Sequence, residues 1–313
     1  MKIVFLDAKT IGEDIDLSGF DALGEVVKYG FSTEQEARER SKDADVLILN
    51  KVQVNEQTIG EADHLKLVCV TATGTNNLDK EYLDKRGIAW RNVAGYSTES
   101  VAQHTFAMLF YLLENLPYYD NYVKSEKYVN DVSFTHFAKA FHELSGMTYG
   151  IIGLGNIGRR VADIAKAFGC RVIYYSTSGR NLQPGYERVS FDELLEQSDI
   201  VSIHAPLDEN TLGLMNKEAF AKMKKSAILL NVGRGPIINE ADLAEALNNK
   251  TIAAAGLDVL SVEPMQEDNP LRGIKDSERL LITPHIAWAG VEARNRLMGI
   301  ILGQIKEFFK AHE

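Results

Sequence analysis

The stretch Gly153-Leu154-Gly155-Asn156-Ile157-Gly158 decides the fold. It has the pattern Gly-x-Gly-x-x-Gly and lies between a strand-like apolar run at 149–153 and a helical pattern that ends at Gly169. In such a turn the first glycine permits a tight bend, the second lets backbone approach a pyrophosphate, and the third lets the helix pack closely on the strand. The helix start also offers unpaired N–H groups to phosphate. The stretch therefore predicts a dinucleotide-binding α/β domain, with a structural glycine turn as the alternative.

The end of the next predicted strand should identify the dinucleotide. An acidic residue normally stands there and binds the ribose 2′-hydroxyl of NAD. This chain has Ser176 instead, followed by Thr177 and, a little later, Arg180. Hydroxyls and a guanidinium, without a carboxylate to repel it, suit a 2′-phosphate. We predict a preference for NADP with contacts from these three residues; the alternative is a solvated turn in an enzyme that uses NAD.

The rest of the chain alternates β-branched runs with helical patterns, which predicts two α/β domains with parallel sheets. Long helices are predicted at 99–116 and 291–310, and a shorter one at 32–40. Ser190 with Glu193 has the capping-box pattern, and Asn216 and Asn239 are predicted N-caps. The predicted strands are 2–6, 25–29, 46–49, 67–71, 89–91, 149–153, 171–175, 200–204, 227–231, 253–258 and 280–283.

Composition narrows the class of partner. The 313 residues are 45% hydrophobic and 25% charged, and the net charge of −10 argues against nucleic-acid and membrane-surface partners, which reward clustered Lys and Arg. Cys69 and Cys170 lie in apolar runs and are expected to be reduced core residues. No apolar run reaches the roughly 18 residues of a membrane span, so we expect a cytoplasmic protein. The histidines and cysteines lack metal-ligand spacing, so no metal site is predicted.

Three chemically active residues follow the late strands of the second series. Arg234, Glu263 and His285 each come a few residues after a predicted strand, and ligands of open α/β sheets bind at the carboxyl ends of the strands. Arginine can hold a carboxylate and a carbonyl oxygen, and histidine can donate a proton while a carboxylate orients it. Together they predict hydride transfer to a 2-keto acid. Taken singly, Arg234 could form a surface ion pair, Glu263 could be a solvated loop residue, and His285 could cap a strand.

With these motifs the chain resembles the D-isomer-specific 2-hydroxyacid dehydrogenases over nearly its whole length. The resemblance implies that Arg234 binds and polarises the substrate, that His285 is the acid/base, and that Glu263 orients His285. The matching motifs are Gly153–Gly158, Asn231-Val232-Gly233-Arg234-Gly235, Asp258 with Glu263-Pro264, and Pro284-His285-Ile286-Ala287.

The resemblance also implies an architecture: a Rossmann cofactor domain at 99–287 inserted in a flavodoxin-like substrate domain at 1–98 plus 288–313, in a homodimer. The substrate domain should bind the substrate carboxylate through Thr73 and Gly74, in a small-residue loop with free N–H groups. Thr98 is either a cofactor contact or a helix cap. Further cofactor contacts are implied for Asn156, Ile157, Ser176, Ala205, Pro206, Thr211, Val232 and Asp258.

We therefore predict reduction of a small 2-keto acid to the D-2-hydroxy acid by NADPH or NADH. The segments 284–289 and 96–104 look most like glycerate dehydrogenases, that is, hydroxypyruvate and glyoxylate reductases. A D-lactate-type enzyme, or one for a bulkier 2-keto acid, is the runner-up. From another class, a dinucleotide-sensing corepressor would keep the cofactor site without turnover.

Overall fold

The computed structural model of the chain describes residues 1–180 and 182–311. Within them the chain divides into two compact units. One unit comprises Met1–Ser97 and the segment from Ala289 onward, and the other comprises Thr98–Trp288. Each unit is built around its own sheet of parallel strands with helices between them.

The elements follow one another in alternating α/β order. The strands are β1 (Lys2–Phe5), β2 (Glu25–Lys28), β3 (Val46–Leu49), β4 (Leu67–Val70), β5 (Ala89–Arg91), β6 (Thr148–Ile152), β7 (Arg171–Tyr175), β8 (Glu187–Arg188), β9 (Ile200–Ile203), β10 (Ile228–Asn231), β11 (Ala254–Leu257) and β12 (Leu280–Ile282). The helices are α1 (Glu34–Ser41), α2 (Glu56–Ile59), α3 (Lys80–Arg86), α4 (Thr98–Leu113), α5 (Leu116–Lys124), α6 (Asn156–Ala167), α7 (Phe191–Gln197), α8 (Lys217–Lys222), α9 (Glu240–Asn248) and α10 (Val291–Lys310). Short 3-10 helices lie at Ala8–Thr10, Ser18–Leu23, Tyr128–Asn130, Gly235–Ile237, Pro270–Gly273 and Ser277–Arg279.

The first unit has the strand order β2-β1-β3-β4-β5, with every pair parallel. This is the flavodoxin-like order of a doubly wound sheet. All residues of β3 and β4 are buried, as expected for central strands covered on both faces. The terminal helix α10 belongs to this unit, where Arg294 pairs with Asp14 at 2.5 Å. The chain therefore begins and ends in the same unit.

The second unit has the strand order β12-β11-β10-β9-β6-β7-β8, again entirely parallel. The order reverses at β6, where the chain runs outward first to β7 and later to β9, as in a Rossmann sheet. The loops after β10, β11 and β12 leave the same edge of this sheet. The topology therefore gathers the polar residues that follow these three strands.

Local sequence signals account for the starts of three helices. Ser190 and Glu193 form the predicted capping box of α7, and Asn216 and Asn239 cap α8 and α9 through their side chains. Most predicted strands extend one residue too far at one end.

One predicted helix was too long, and one strand was not predicted. The helix expected over 99–116 ends at Leu113, because Asn115 takes a left-handed backbone with φ of 53° and α5 starts immediately after it. The short edge strand β8 was not predicted, since its two exposed residues, Glu187 and Arg188, give no apolar periodicity.

Candidate active site

The glycine turn after β6 is closed tightly on one side and open on the other. Gly153 has φ of +90°, and a Cβ there would lie 2.7 Å from the backbone nitrogen of Ala205. A Cβ on Gly158 would overlap the carbonyl oxygen of Gly153, so α6 packs directly on the turn. An added Cβ on Gly155 meets no atom within 4 Å among the described residues. The open side therefore fits a pyrophosphate at the start of α6, where Asn156 is exposed and Ile157 half-buried.

The turn after β7 carries the residues expected to select the dinucleotide. Ser176 is buried at the strand end, Thr177 is half-buried and Arg180 is exposed. Gly179 N–H donates to the carbonyl of Ser176 at 3.1 Å, which closes the turn. Arg188 on the neighbouring strand β8 places Nη2 3.9 Å from where a Cβ on Gly179 would lie. This second guanidinium near the turn was not predicted, because its position depends on the edge strand β8.

The loop after β9 is held by Thr211. Its side chain is fully buried, and its hydroxyl donates to Pro206 O and accepts from Asp208 N, both at 2.8 Å. Ala205 is buried and Pro206 exposed at the start of the same loop. Because these bonds engage its hydroxyl, Thr211 shapes the loop that presents Ala205 and Pro206. A direct cofactor contact from Thr211 stays a prediction.

His204 ends β9 beside this loop. Its Nε2 lies 2.9 Å from Ser202 Oγ, and its Nδ1 is buried without a partner among the described residues. Burial penalises the charged form and lowers the pKa of His204 from 6.5 to about 3. The imidazole is therefore neutral at physiological pH.

The arginine turn after β10 is built on Asn231. This fully buried amide donates through Nδ2 to Arg234 O at 2.9 Å and accepts at Oδ1 from Gly233 N at 3.0 Å. Arg234 and Val232 are half-buried, and one guanidinium nitrogen of Arg234 donates to Gly233 O at 2.8 Å. The remaining N–H groups of the guanidinium can bind a carboxylate or a keto oxygen.

The loop between Asp258 and Glu263 packs against the arginine turn. A Cβ on Gly235 would overlap the backbone carbonyl of Leu260, so only glycine fits there. Glu240, which sequence reasoning missed, holds the same loop by accepting from Ser261 N at 2.6 Å through Oε1, while its Oε2 accepts from Asn269 Nδ2 at 2.8 Å. These contacts fix the backbone that carries Glu263.

Glu263 and His285 form a hydrogen-bonded pair. Glu263 Oε2 lies 2.7 Å from His285 Nδ1, and their side chains are 31% and 29% exposed. The other carboxylate oxygen accepts from Leu260 N at 3.0 Å, which orients the group. A carboxylate at Nδ1 favours a proton on that nitrogen and directs Nε2 to the substrate. The pair has the arrangement of a general acid/base and the residue that orients it.

Asp258 organises the backbone around His285. Its buried carboxylate accepts from Ile286 N at 2.8 Å, from Ala287 N at 2.9 Å and from Thr283 Oγ1 at 2.6 Å. His285 N donates to Asp258 O at 2.8 Å. These bonds hold His285 at a left-handed φ of 56°, a conformation that costs a non-glycine residue about 1–3 kcal/mol. A contact from Asp258 to the nicotinamide amide stays a prediction.

The other predicted site residues lie at the ends of elements. In the first unit, Thr73 follows β4, donates through Oγ1 to Val93 O at 3.0 Å and accepts at its carbonyl from Asn92 Nδ2 at 2.7 Å. Gly74, next to it, is half-buried. Thr98 is the half-buried first residue of α4. Across residues 1–180 and 182–311, no group of three or more His, Cys, Asp or Glu side chains could hold a metal ion.

Known proteins are similar to the chain over almost its whole length. The family model described as D-isomer specific 2-hydroxyacid dehydrogenase, NAD binding domain, matches residues 106–287. A hydroxypyruvate reductase of Blautia hydrogenotrophica is 39% identical over 319 residues, covering 99% of this chain and 97% of the relative. A glycerate dehydrogenase of Methylorubrum extorquens is 33% identical over 308 residues, covering 98% and 96%.

The fold is also similar to that of a solved structure. D-lactate dehydrogenase from Aquifex aeolicus, complexed with NAD and lactic acid, matches with a TM-score of 0.84 and 27% identity. The match covers 99% of this chain and 96% of that one.

Proposed function

The chain belongs to the D-isomer-specific 2-hydroxyacid dehydrogenases, and from this premise we propose that it reduces hydroxypyruvate or glyoxylate to the 2-hydroxy acid, with the D configuration where the product is chiral. The observation that carries the proposal is the Glu263–His285 pair, at 2.7 Å, at the sheet edge that also bears Arg234. A cofactor site and a proton donor on the same unit are what reduction of a keto group needs. The named activities of the relatives support the same reaction.

The mechanism assigns one task to each side chain. When bound, the nicotinamide supplies the hydride that reduces the keto carbon. Protonated His285 gives its Nε2 proton to the keto oxygen, while Glu263 accepts from Nδ1 and stabilises the imidazolium. Arg234 binds the substrate carboxylate and stabilises negative charge that develops on the oxygen. Reduction therefore requires His285 in its charged form.

We propose that the cofactor is NADP in preference to NAD. Ser176, Thr177 and Arg180 provide hydroxyls and a guanidinium where a carboxylate would bind the NAD ribose. Arg188 strengthens the proposal, because it adds a second cation near Gly179 in the same turn. Glycine-turn contacts from Gly155, Asn156 and Ile157 to the pyrophosphate would be common to both cofactors.

For the substrate, we propose a small polar 2-keto acid whose carboxylate is bound by the backbone of Thr73 and Gly74. The small residues of this loop, Ala72, Thr73 and Gly74, suit a small polar keto acid. A D-lactate-type or bulkier 2-keto acid reductase is the alternative, and the Aquifex enzyme is an example from the same fold.

One assay tests the reaction, the substrate and the cofactor together. Glyoxylate, hydroxypyruvate, pyruvate and phenylpyruvate are each offered with NADPH and NADH, and the loss of reduced cofactor is followed by absorbance. Chiral chromatography then identifies the enantiomer formed from hydroxypyruvate. We expect fastest turnover of hydroxypyruvate or glyoxylate and D-glycerate as product. Cofactor binding without turnover of any acid would overturn the proposal in favour of a dinucleotide-sensing protein.

We also propose a homodimer in the cytoplasm. Val132, Phe134 and Phe137, in the segment after α5, are 103%, 88% and 89% exposed, more apolar surface than an isolated monomer normally shows. Both Cys69 and Cys170 are buried thiols, which suits a reducing compartment. Every helix in the described ranges is too short or too polar to cross a membrane. Sedimentation of the wild type and of a Phe134→Ser, Phe137→Ser variant tests the dimer.

A further inference from the structure

We propose that Ser100 and His104 are positioning residues for His285, because they fasten both ends of the loop Thr283–Ala287 to helix α4. The inference rests on the proposed function, in which His285 is the proton donor. Neither residue is assigned a contact with the reacting atoms. Their effect is exerted through the backbone on which His285 stands.

Ser100 and His104 lie one turn apart on α4, so their side chains share a face of the helix. Ser100 Oγ donates to the carbonyl of Ala287 at 2.6 Å. His104 Nε2 lies 3.0 Å from the hydroxyl of Thr283. Thr283 lies two residues before His285 and Ala287 two residues after it. Helix α4 therefore contacts the loop on both sides of His285.

The donors and acceptors of this network can be assigned. Thr283 has one hydroxyl proton, and it is donated to Asp258 Oδ1 at 2.6 Å. The hydroxyl must therefore accept from His104, which places a proton on Nε2 of that imidazole. This N–H also faces the buried Asp258 carboxylate at 3.6 Å. A continuous chain of hydrogen bonds thus runs from His104 through Thr283 to Asp258, which holds the N–H groups after His285.

The loop needs such support because its central residue is strained. His285 has φ of 56°, outside the conformations that residues with a Cβ prefer. Asp258 bonds Ile286 and Ala287, and α4 fixes Ala287 and Thr283 in turn. Without the helix contacts, the backbone can relax to a negative φ and carry the imidazole away from Glu263. Misplacement by about 1 Å can reduce a rate about 100-fold.

The first test measures kinetics of folded variants with reduced dinucleotide and the best keto acid. Ser100→Ala and His104→Leu remove the two contacts, and His104→Gln restores an N–H donor of similar reach. The control is Gln103→Ala, an exposed neighbour on another face of α4. We expect kcat to fall between about 10- and 100-fold in each disruptive variant, with the dinucleotide Kd within about twofold of wild type. His104→Gln should recover most of the lost kcat.

The second test does not depend on activity. Hydrogen exchange of peptides covering 283–288 reports whether the N–H groups of Ile286 and Ala287 stay protected. We expect faster exchange of this segment in Ser100→Ala and His104→Leu, and wild-type exchange in Gln103→Ala. Unchanged exchange, or an unchanged kcat, in the disruptive variants would overturn the positioning role. If the wild type turns over no keto acid while exchange responds as expected, the proposed function fails and the loop support stands.

Discussion

Glu263 Oε2 lies 2.7 Å from Nδ1 of His285, and Leu260 N orients the other oxygen of the same carboxylate. The relationship decides which ring nitrogen can meet the substrate. It also pairs the imidazolium that reduction requires with a negative charge. The pair therefore leads to a prediction about the rate of reduction.

Glu263→Gln keeps the shape of the side chain and removes its charge. We expect kcat/KM for reduction to fall about 100-fold, because the imidazolium loses its counter-charge and the tautomer is less defined. Steady-state kinetics with the best keto acid measure the loss. A folded variant with the wild-type kcat/KM would show that Glu263 does not act on the proton donor.

Arg234→Lys keeps one positive charge and removes the planar fork. We expect kcat/KM to fall about 100- to 1000-fold, because a point charge cannot bind a carboxylate and stabilise the developing oxyanion together. Steady-state kinetics with the best keto acid measure the loss. The matched control is Arg272→Lys, at an exposed arginine away from the strand edge. Equal kcat/KM values in the two variants would show that Arg234 has no role in the reaction.

Ser176→Asp introduces the carboxylate that the turn after β7 lacks. We expect the ratio of kcat/KM for NADPH to that for NADH to fall at least about 10-fold, because the carboxylate repels a 2′-phosphate and binds a free 2′-hydroxyl. Arg188→Gln should weaken the binding of NADPH and leave the binding of NADH nearly unchanged. If Ser176→Asp leaves the ratio as it was, the turn does not select the cofactor.

His204 predicts a pH dependence of stability. Its pKa is about 3 in the folded chain and 6.5 ordinarily, so the unfolded chain binds more protons between these pH values. The contribution of the neutral imidazole to the free energy of unfolding is complete above pH 6.5 and is lost as pH falls toward 3. One such group changes the free energy of unfolding by up to about 1.4 kcal/mol per pH unit, or about 2 kcal/mol down to about pH 5.

Replacing this histidine should remove that part of the pH dependence. Chemical unfolding at about pH 7.5 and about pH 5 should show a smaller difference for His204→Gln than for the wild type. His64→Gln, at an exposed histidine, should behave as the wild type does. The same slope in both variants would mean that His204 is not buried in its neutral form.

Local patterns were enough to predict most of the framework. The glycine turn and the cap residues Ser190, Asn216 and Asn239 are encoded within a few positions, and each formed as expected. The proximity of Glu263 and His285 also followed, because parallel strands end at a common edge. The break at Asn115 could not be predicted in this way, since a left-handed residue inside an apolar helical pattern has no periodic signal.

The hydrogen bonds that hold the loops of the site could not be predicted from the sequence. Glu240 contacts Ser261 and Asn269, and Asp258 contacts Ile286 and Ala287, across separations that no local spacing reports. Their roles depend on loop conformations that exist only after the sheet has formed. A polar residue near a strand end could be assigned to the site, but its partner could not.

The role of His285 as proton donor is tested by the rate of hydroxypyruvate reduction by the wild type and by His285→Asn at near-neutral pH. Asparagine fits the site but cannot donate a proton as an acid, so we expect kcat to fall about 100- to 10,000-fold while dinucleotide binding is retained. A folded His285→Asn variant that reduces hydroxypyruvate at the wild-type rate would contradict the assignment of His285 as the proton donor.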